Sequence, residues 1–76
     1  MRRFNPPFNS KRFLLNKNTG EIHDLDRETE FCRINDINPD HIYMGDSYMS
    51  CLLHAQMSRC PNPNGCFYCQ PENDRG

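Results

Sequence analysis

The chain has 76 residues, of which 36% are hydrophobic, and it contains no tryptophan. A chain of this length forms at most one small domain, which often needs a disulfide, a metal ion or a partner to remain folded. Five cysteines and three histidines are available for this purpose, and the net charge is −1. An odd cysteine count without a signal peptide favours a reducing compartment, and therefore a metal over disulfides. A reducing compartment implies a cytoplasmic protein, and because no stretch is apolar enough to span a membrane we expect no membrane contacts.

The small net charge conceals an uneven distribution along the chain. Residues 1–17 include basic side chains and no acidic one, whereas most of the charged side chains in residues 21–46 are acidic. The basic segment could bind nucleic acid through phosphate contacts, or it could lie along the acidic segment, which is the interpretation we favour. The candidate nucleic-acid contacts are Arg2, Arg3, Lys11 and Arg12.

The two ends of the chain are predicted to lie outside the folded domain. Residues 1–11 should form an extended basic arm, because its two consecutive prolines exclude a helix. Phe4 and Phe8 are expected to pack this arm against the domain. The domain itself is predicted to cover residues 12–70, and the polar residues 71–76 should form a disordered tail.

The first half of the domain is predicted to contain short strands. Residues 12–16 and residues 21–23 read as the two strands of a hairpin, joined by a turn over residues 17–20. Residues 31–37 have apolar side chains at helical spacing and favour one helical turn or an irregular packed segment. A third strand over residues 41–44 should pair with the hairpin.

One helix is predicted, from about Ser47 to Met57, with Asp46 as its N-cap. At 100° per residue its apolar side chains form one broad stripe that should cover the sheet. Ser50 and His54 face away from this stripe. The members of the stripe are Tyr48, Met49, Cys51, Leu52, Leu53 and Ala55.

Downstream of the helix, Gly65-Cys66-Phe67-Tyr68-Cys69 has the spacing of a metal-binding knuckle. Two cysteines separated by two residues can direct both thiolates to one ion, and the glycine supplies backbone freedom beside them. A soft tetrahedral ion such as zinc needs four ligands, so two more must come from elsewhere. We therefore predict a small α+β zinc domain with a short three-stranded antiparallel sheet, one main helix and a C-terminal Cys-x-x-Cys knuckle.

The remaining candidate ligands are His23, Cys32, Cys51, His54 and Cys60. Cys51 and His54 have the i, i+3 spacing of helical ligands. However, a buried thiol in an apolar stripe acts as a small hydrophobe, and the histidine faces away from the sheet. His23 at the end of a strand and Cys32 after a loop are better placed, because a hairpin and the loop that follows it can deliver one ligand each.

The chain resembles a known module over roughly residues 12–70. Residues 18–23 (Asn-Thr-Gly-Glu-Ile-His), Cys32, the strand and helix over residues 42–55, and the knuckle at residues 66–69 follow the order seen in Ada-type metal-binding domains. The resemblance implies one structural zinc ion per chain. It implies as ligands His23, Cys32, Cys66 and Cys69.

Several departures from the Ada-type pattern bear on the site, and the first is a gap from His23 to Cys32 that is longer than usual. The segment before the knuckle carries an insertion that contains Cys60, which could replace His23 and give a four-cysteine site. In addition, the family's methyl acceptor is the first cysteine of the motif, and His23 occupies that position here. Because an imidazole cannot take over this role, we do not expect the methyl-transfer activity.

A closed site of three thiolates and one imidazole leaves no position for a substrate, so we expect a structural metal and no enzyme. No paired carboxylates, nucleophile with a base, or phosphate-binding glycine loop is recognisable, and no small-molecule substrate is expected. The favoured function is protein binding through the exposed Phe67 and Tyr68 or through the acidic loop. The alternative is nucleic-acid binding through the basic arm.

Overall fold

The structure is a computed structural model, and it describes residues 2–60 and 63–73. At its centre lies the predicted hairpin, in which strand β1 (Phe13–Asn16) pairs antiparallel with strand β2 (Glu21–Asp24). The turn closes through the amide of Gly20, which donates to the carbonyl of the last β1 residue at 2.7 Å. Gly20 has a φ of 82°, a left-handed conformation that glycine adopts at little steric cost.

Strand β3 (Ile42–Gly45) pairs antiparallel with β1, as predicted. A fourth strand, β4 (Asn64–Gly65), pairs parallel with β2, so the described residues form a mixed sheet in the order β3-β1-β2-β4. The prediction of a three-stranded antiparallel sheet is therefore wrong in strand number and in the direction of one pair. An Asn-Gly pair has no strand-forming pattern of its own. It is held by its neighbours, since the amide of Cys66 donates to the carbonyl of Ile22 at 2.8 Å.

The predicted helix is observed as α1 (Tyr48–Met57). Its N-cap is Ser47 and not the predicted Asp46. The Ser47 hydroxyl accepts from the amide of Ser50 at 3.1 Å, and the Ser50 hydroxyl accepts from the amide of Ser47 at 3.3 Å. This reciprocal capping box satisfies two amides of the first turn. Asp46 lies one residue too early for this role, and its carboxylate accepts a hydrogen bond from Lys11 at 3.0 Å.

The helix covers the sheet with a narrower face than the apolar stripe predicts. Cys51 and Ala55 are fully buried, whereas Met49 and Leu53 are 58% and 53% exposed. The prediction that these last two residues cover the sheet is therefore wrong. Met49 and Leu53 each lie two residues from Cys51, which is about 160° around the helix, so both point away from the buried face.

Two hydrophobic clusters lie on opposite faces of the sheet. Leu14 and Leu15 are neighbours in β1 and therefore point to opposite sides. The helix-side cluster consists of Leu15, Ile22, Cys51 and Ala55. The loop-side cluster consists of Leu14, Leu25, Cys32, Ile34, Ile42, Cys66 and Cys69.

The basic N-terminal segment is joined to the acidic segment by ion pairs. The guanidinium of Arg3 donates two hydrogen bonds to the carboxylate of Glu28, at 2.8 and 2.9 Å. Phe8 packs against the loop-side cluster, but Phe4, which was expected to pack, is 81% exposed. The further ion pairs of this segment are Arg2 with Asp26, Lys11 with Asp46, and Arg12 with Asp24.

The division into an arm, a domain over residues 12–70 and a tail over residues 71–76 stays a prediction. The backbone of the arm makes hydrogen-bonded turns over residues 5–10. Pro71–Asn73 form a single 3-10 turn, while residues 74–76 of the predicted tail lie outside the described residues. Among the described helices there is none with the length and apolar character needed to cross a membrane.

Candidate metal centre

Three cysteines and one histidine meet on the loop side of the sheet. Their ligand atoms, three Sγ atoms and one imidazole nitrogen, all lie within 4.8 Å of one another. Each side chain is buried, with an exposed fraction of 7% for one cysteine and 1% for the others. The four residues are His23, Cys32, Cys66 and Cys69. The structure thus brings together the ligand set favoured from the sequence, and this group could hold a metal ion.

The two N-terminal members are positioned by the hairpin and by the loop after it. His23 lies on β2, directly opposite Leu14 of β1, so its ring enters the loop-side cluster. Cys32 ends the short 3-10 segment Glu30–Cys32. The N-cap of this segment is Thr29, whose hydroxyl accepts a hydrogen bond from the amide of Phe31 at 3.2 Å. Arg33 then adopts a left-handed conformation with a φ of 53° and ends the segment as its C-cap.

Two hydrogen bonds hold the knuckle against β2, and a third closes the knuckle turn. The carbonyl of Ile22 accepts from the amide of Cys66 at 2.8 Å and from the side-chain amide of Gln70 at 2.9 Å. The backbone amide of Gln70 donates to the carbonyl of Cys66 at 2.7 Å, which closes the knuckle turn. Because the neighbouring residue on β2 is His23, the same contacts bring both knuckle cysteines to the histidine.

The distances between ligand atoms fit a tetrahedral ion with sulfur and nitrogen ligands. The Sγ atoms of Cys32 and Cys66 are 3.8 Å apart, and the Sγ atom of Cys69 lies 3.8 Å from Nδ1 of His23. Zinc bound to thiolates at about 2.3 Å in a tetrahedron separates two sulfurs by about 3.8 Å. The donor set and its spacing therefore match a four-coordinate site that is already formed.

The electrostatics of the cluster favour a positive charge at its centre. Burial by itself lowers the pKa of His23, but hydrogen bonds to the two knuckle sulfurs and to Glu21 outweigh burial and raise this pKa above its ordinary value of 6.5. Burial by itself raises the pKa of Cys66, but the hydrogen bond from His23 and backbone amides lower it to about 7. A thiolate and a protonated imidazole thus stabilise each other, which is the charge balance that a bound cation would replace.

Neighbouring polar groups orient the ligands from outside the cluster. Nε2 of His23 lies 3.2 Å from a carboxylate oxygen of Glu21, so Nδ1 is the nitrogen that faces the sulfurs. The amide of Asp24 donates to the sulfur of Cys69 at 3.2 Å. Metal-binding histidines commonly donate their second nitrogen to a carboxylate in this way. The sequence analysis did not assign this role to Glu21, although its position two residues before His23 on one strand places both on the same face.

The other candidate ligands lie away from this group. The thiol of Cys60 donates to the carbonyl of Lys17 at 3.4 Å and packs against the helix-side cluster, so the structure gives no support to the four-cysteine alternative. Cys51 is fully buried in the same cluster, where burial raises its pKa to about 12. His54, predicted to face away from the sheet, is half-buried and stacks on Tyr43 with ring centroids 3.7 Å apart.

Comparison with known proteins identifies no relative of this chain: no family model, no curated protein and no solved structure matches it. The interpretation of the centre therefore rests on its own residues.

Proposed function

We propose that the chain is a small interaction module built around one structural zinc ion, and that it binds another protein. The observation that carries the structural role is the burial of all four candidate ligands, His23, Cys32, Cys66 and Cys69. Three sulfurs and one imidazole nitrogen complete a tetrahedral set and leave no coordination position for water or substrate. Zinc is the proposed ion because it accepts thiolate and imidazole ligands in this geometry.

The relation to Ada-type metal-binding modules is part of this proposal. It is supported by the order of the ligands along the chain, in which a hairpin and its following loop supply two and a knuckle after the helix supplies the others. A cytoplasmic location is also proposed, since free thiols persist as metal ligands where thiols are kept reduced.

We propose no enzymatic role. The closed ligand set offers no site for a reacting group, and Ser47 and Ser50, two of the three serines near the helix, are engaged in the helix cap.

Protein is favoured over nucleic acid because the cations of the N-terminal segment already have acidic partners. The ion pairs of Arg2, Arg3, Lys11 and Arg12 reduce the positive field that would attract phosphates. Nucleic-acid binding through these residues would compete with every one of these pairs.

The metal part of the proposal is tested by metal analysis of the purified chain before and after treatment with a chelator. We expect one zinc per chain, and loss of dispersion in the amide NMR spectrum when zinc is removed. Structural zinc contributes on the order of 10 kcal/mol to folding, more than a thin core supplies. A metal-free chain with an unchanged, dispersed spectrum would contradict the structural role.

The binding part is tested by retaining proteins on the zinc-loaded chain, with nuclease-treated and untreated extracts in parallel. We expect retention of protein that nuclease does not remove. The alternative predicts tight binding to DNA. The logarithm of this affinity should then fall linearly with the logarithm of the salt concentration, with a slope of about −4 for four or five phosphate contacts. Such a slope, flattened by deleting residues 1–11, would favour the nucleic-acid alternative.

A further inference from the structure

Three exposed aromatic rings form a continuous surface beside the candidate metal centre. Phe31, Phe67 and Tyr68 are 64%, 63% and 51% exposed. The rings of Phe31 and Tyr68 stack with centroids 5.4 Å apart, and those of Phe67 and Tyr68 meet edge to face at 5.4 Å. We call these three residues the aromatic cluster. Adjacent apolar rings exposed to water are typical of interaction surfaces, because a partner that covers them removes a large apolar area from water.

The aromatic cluster is assembled from the same two loops that supply the sulfur ligands. Phe31 immediately precedes Cys32, while Phe67 and Tyr68 lie between Cys66 and Cys69. The stacking of Phe31 on Tyr68 therefore requires the two loops to be held together. The ligand cluster does this, since the sulfurs of the two loops approach to 3.8 Å.

Acidic side chains line a cleft that adjoins the aromatic cluster through Glu30. Glu30 precedes Phe31 in the same 3-10 segment. With Asp36 and Glu28, it lines a cleft of about 380 Å³ that also includes Arg33. Glu28 is engaged by Arg3, whereas within residues 2–60 and 63–73 neither Glu30 nor Asp36 makes a side-chain ion pair.

This combination favours a cationic occupant. A lysine or arginine side chain gains from lying over an aromatic face and from a nearby carboxylate, so rings and acids act in the same direction. A nucleic acid could stack its bases on the rings, but its phosphates would be repelled by Glu30 and Asp36.

We propose that the aromatic cluster, with Glu30 beside it and Asp36 in the cleft that Glu30 also lines, is a docking surface for a lysine- or arginine-containing segment of a partner protein. This inference rests on the proposed function, because it names the partner class for the same module and requires the metal-bound arrangement of both loops.

The experiment uses the zinc-loaded chain labelled with ¹⁵N and titrated with three short probes. The probes are an unstructured peptide with alternating lysine and serine, the same peptide with glutamate in place of lysine, and single-stranded oligothymidine of similar length. We expect the lysine peptide to shift the amide signals of residues 30–36 and 66–69 and the glutamate peptide to leave them unchanged. Weakening with added salt is expected for the lysine peptide, since part of the attraction is between exposed charges.

Variants assign the binding to these side chains. Tyr68→Ala should weaken binding of the lysine peptide by about 3- to 30-fold, the range expected for one cation–π contact, while Tyr68→Phe should retain most of it. Met57→Ala is the matched control, because Met57 is an 83% exposed apolar side chain on α1, outside the aromatic cluster. Glu30→Gln should weaken binding, and Asp40→Asn, on another exposed loop, should not. Unchanged dispersion of the spectrum shows that each variant is folded.

Several outcomes would overturn the inference. One is tighter binding of oligothymidine than of the lysine peptide at the same amides. Another is amide shifts that change with the concentration of the chain when no probe is present, which would indicate self-association. The third is equal binding of the lysine peptide by wild type and Tyr68→Ala. In each case zinc stoichiometry and retention of a partner protein could remain intact, so the proposed function would survive. Failure of the chain to bind zinc would instead remove the proposed function together with this inference.

Discussion

His23 and Glu21 lie on the same face of β2, and Nε2 of His23 donates to the carboxylate of Glu21 at 3.2 Å. This contact leaves Nδ1 as the free nitrogen, and Nδ1 is the atom that faces Cys69 at 3.8 Å. Glu21 therefore selects the tautomer in which the histidine can act as a ligand.

Replacing Glu21 with alanine should weaken zinc binding by about 10- to 100-fold, the usual effect of losing such a partner. Glu21→Gln should have a smaller effect, because its amide oxygen can still accept from Nε2. Competition with a chromophoric chelator measures both affinities. Asp40→Asn serves as a control for the loss of one exposed acid, and an affinity of Glu21→Ala equal to that of the control would show that Glu21 does not orient the ring.

Substitution of single cysteines should separate the ligand set from the remaining thiols. Cys32→Ser and Cys66→Ser should abolish tight metal binding, because each removes one donor of a closed site, whereas Cys60→Ser should not change it. Cobalt in place of zinc reports the number of bound sulfurs through its thiolate charge-transfer absorption. We expect the intensity of three sulfurs in the wild type and in Cys60→Ser. A loss of charge-transfer intensity in Cys60→Ser would instead support the four-cysteine alternative, in which Cys60 replaces His23.

Zinc binding should release protons and should strengthen as the pH rises. In any metal-free chain that stays folded, the pKa of His23 is raised above 6.5, so the protonated ring stabilises the fold below this value and this contribution is lost as the pH rises through the raised pKa. The zinc-bound fold has the opposite dependence, because the metal needs a neutral imidazole and deprotonated thiols. Calorimetric titration in buffers with different ionisation enthalpies counts the released protons. An observed enthalpy independent of buffer would contradict the release of protons from the ligands.

The N-terminal segment should contribute to stability through Phe8 and not through Phe4. Phe8 packs against the loop-side cluster and is half-buried, so Phe8→Ala should lower the free energy of unfolding of the zinc-loaded chain by about 1–3 kcal/mol. Phe4 is 81% exposed, and Phe4→Ala should change the free energy of unfolding by less than about 0.5 kcal/mol. Denaturant unfolding followed by circular dichroism compares the two variants. Equal effects would show that this segment is not packed in solution.

The sequence was sufficient to predict the hairpin, the third strand, the approximate span of the helix and the residues that the structure brings together at the centre. These features depend on local signals, namely a turn glycine, apolar alternation and cysteine spacing. β4 depends on a tertiary contact, because Asn64 and Gly65 form a strand only where β2 offers free backbone groups. The exposure of Met49 is encoded locally, because Met49 lies two residues from the buried Cys51 and therefore about 160° around the helix.

The role of Glu21 was not recognised, although its signal was present in the sequence. Two residues at i and i+2 of a strand share a face, so an acid in this position relative to a candidate histidine ligand indicates an orienting partner. The signal that distinguishes Ser47 from Asp46 as the N-cap was also present in the local sequence. Ser50 three residues after Ser47 completes a reciprocal cap, and no such partner follows Asp46 at that spacing.

The opposite orientations of Leu14 and Leu15 limit how this chain can change in length. β1 lies between β2 and β3 and gives one leucine to each hydrophobic cluster. Insertion or deletion of one residue within β1 would shift its register and exchange the two faces of the strand. Packing beneath the helix and packing around the ligands would then be lost together. Point substitutions can adjust either face separately, whereas indels should be tolerated in surface loops and excluded from this strand.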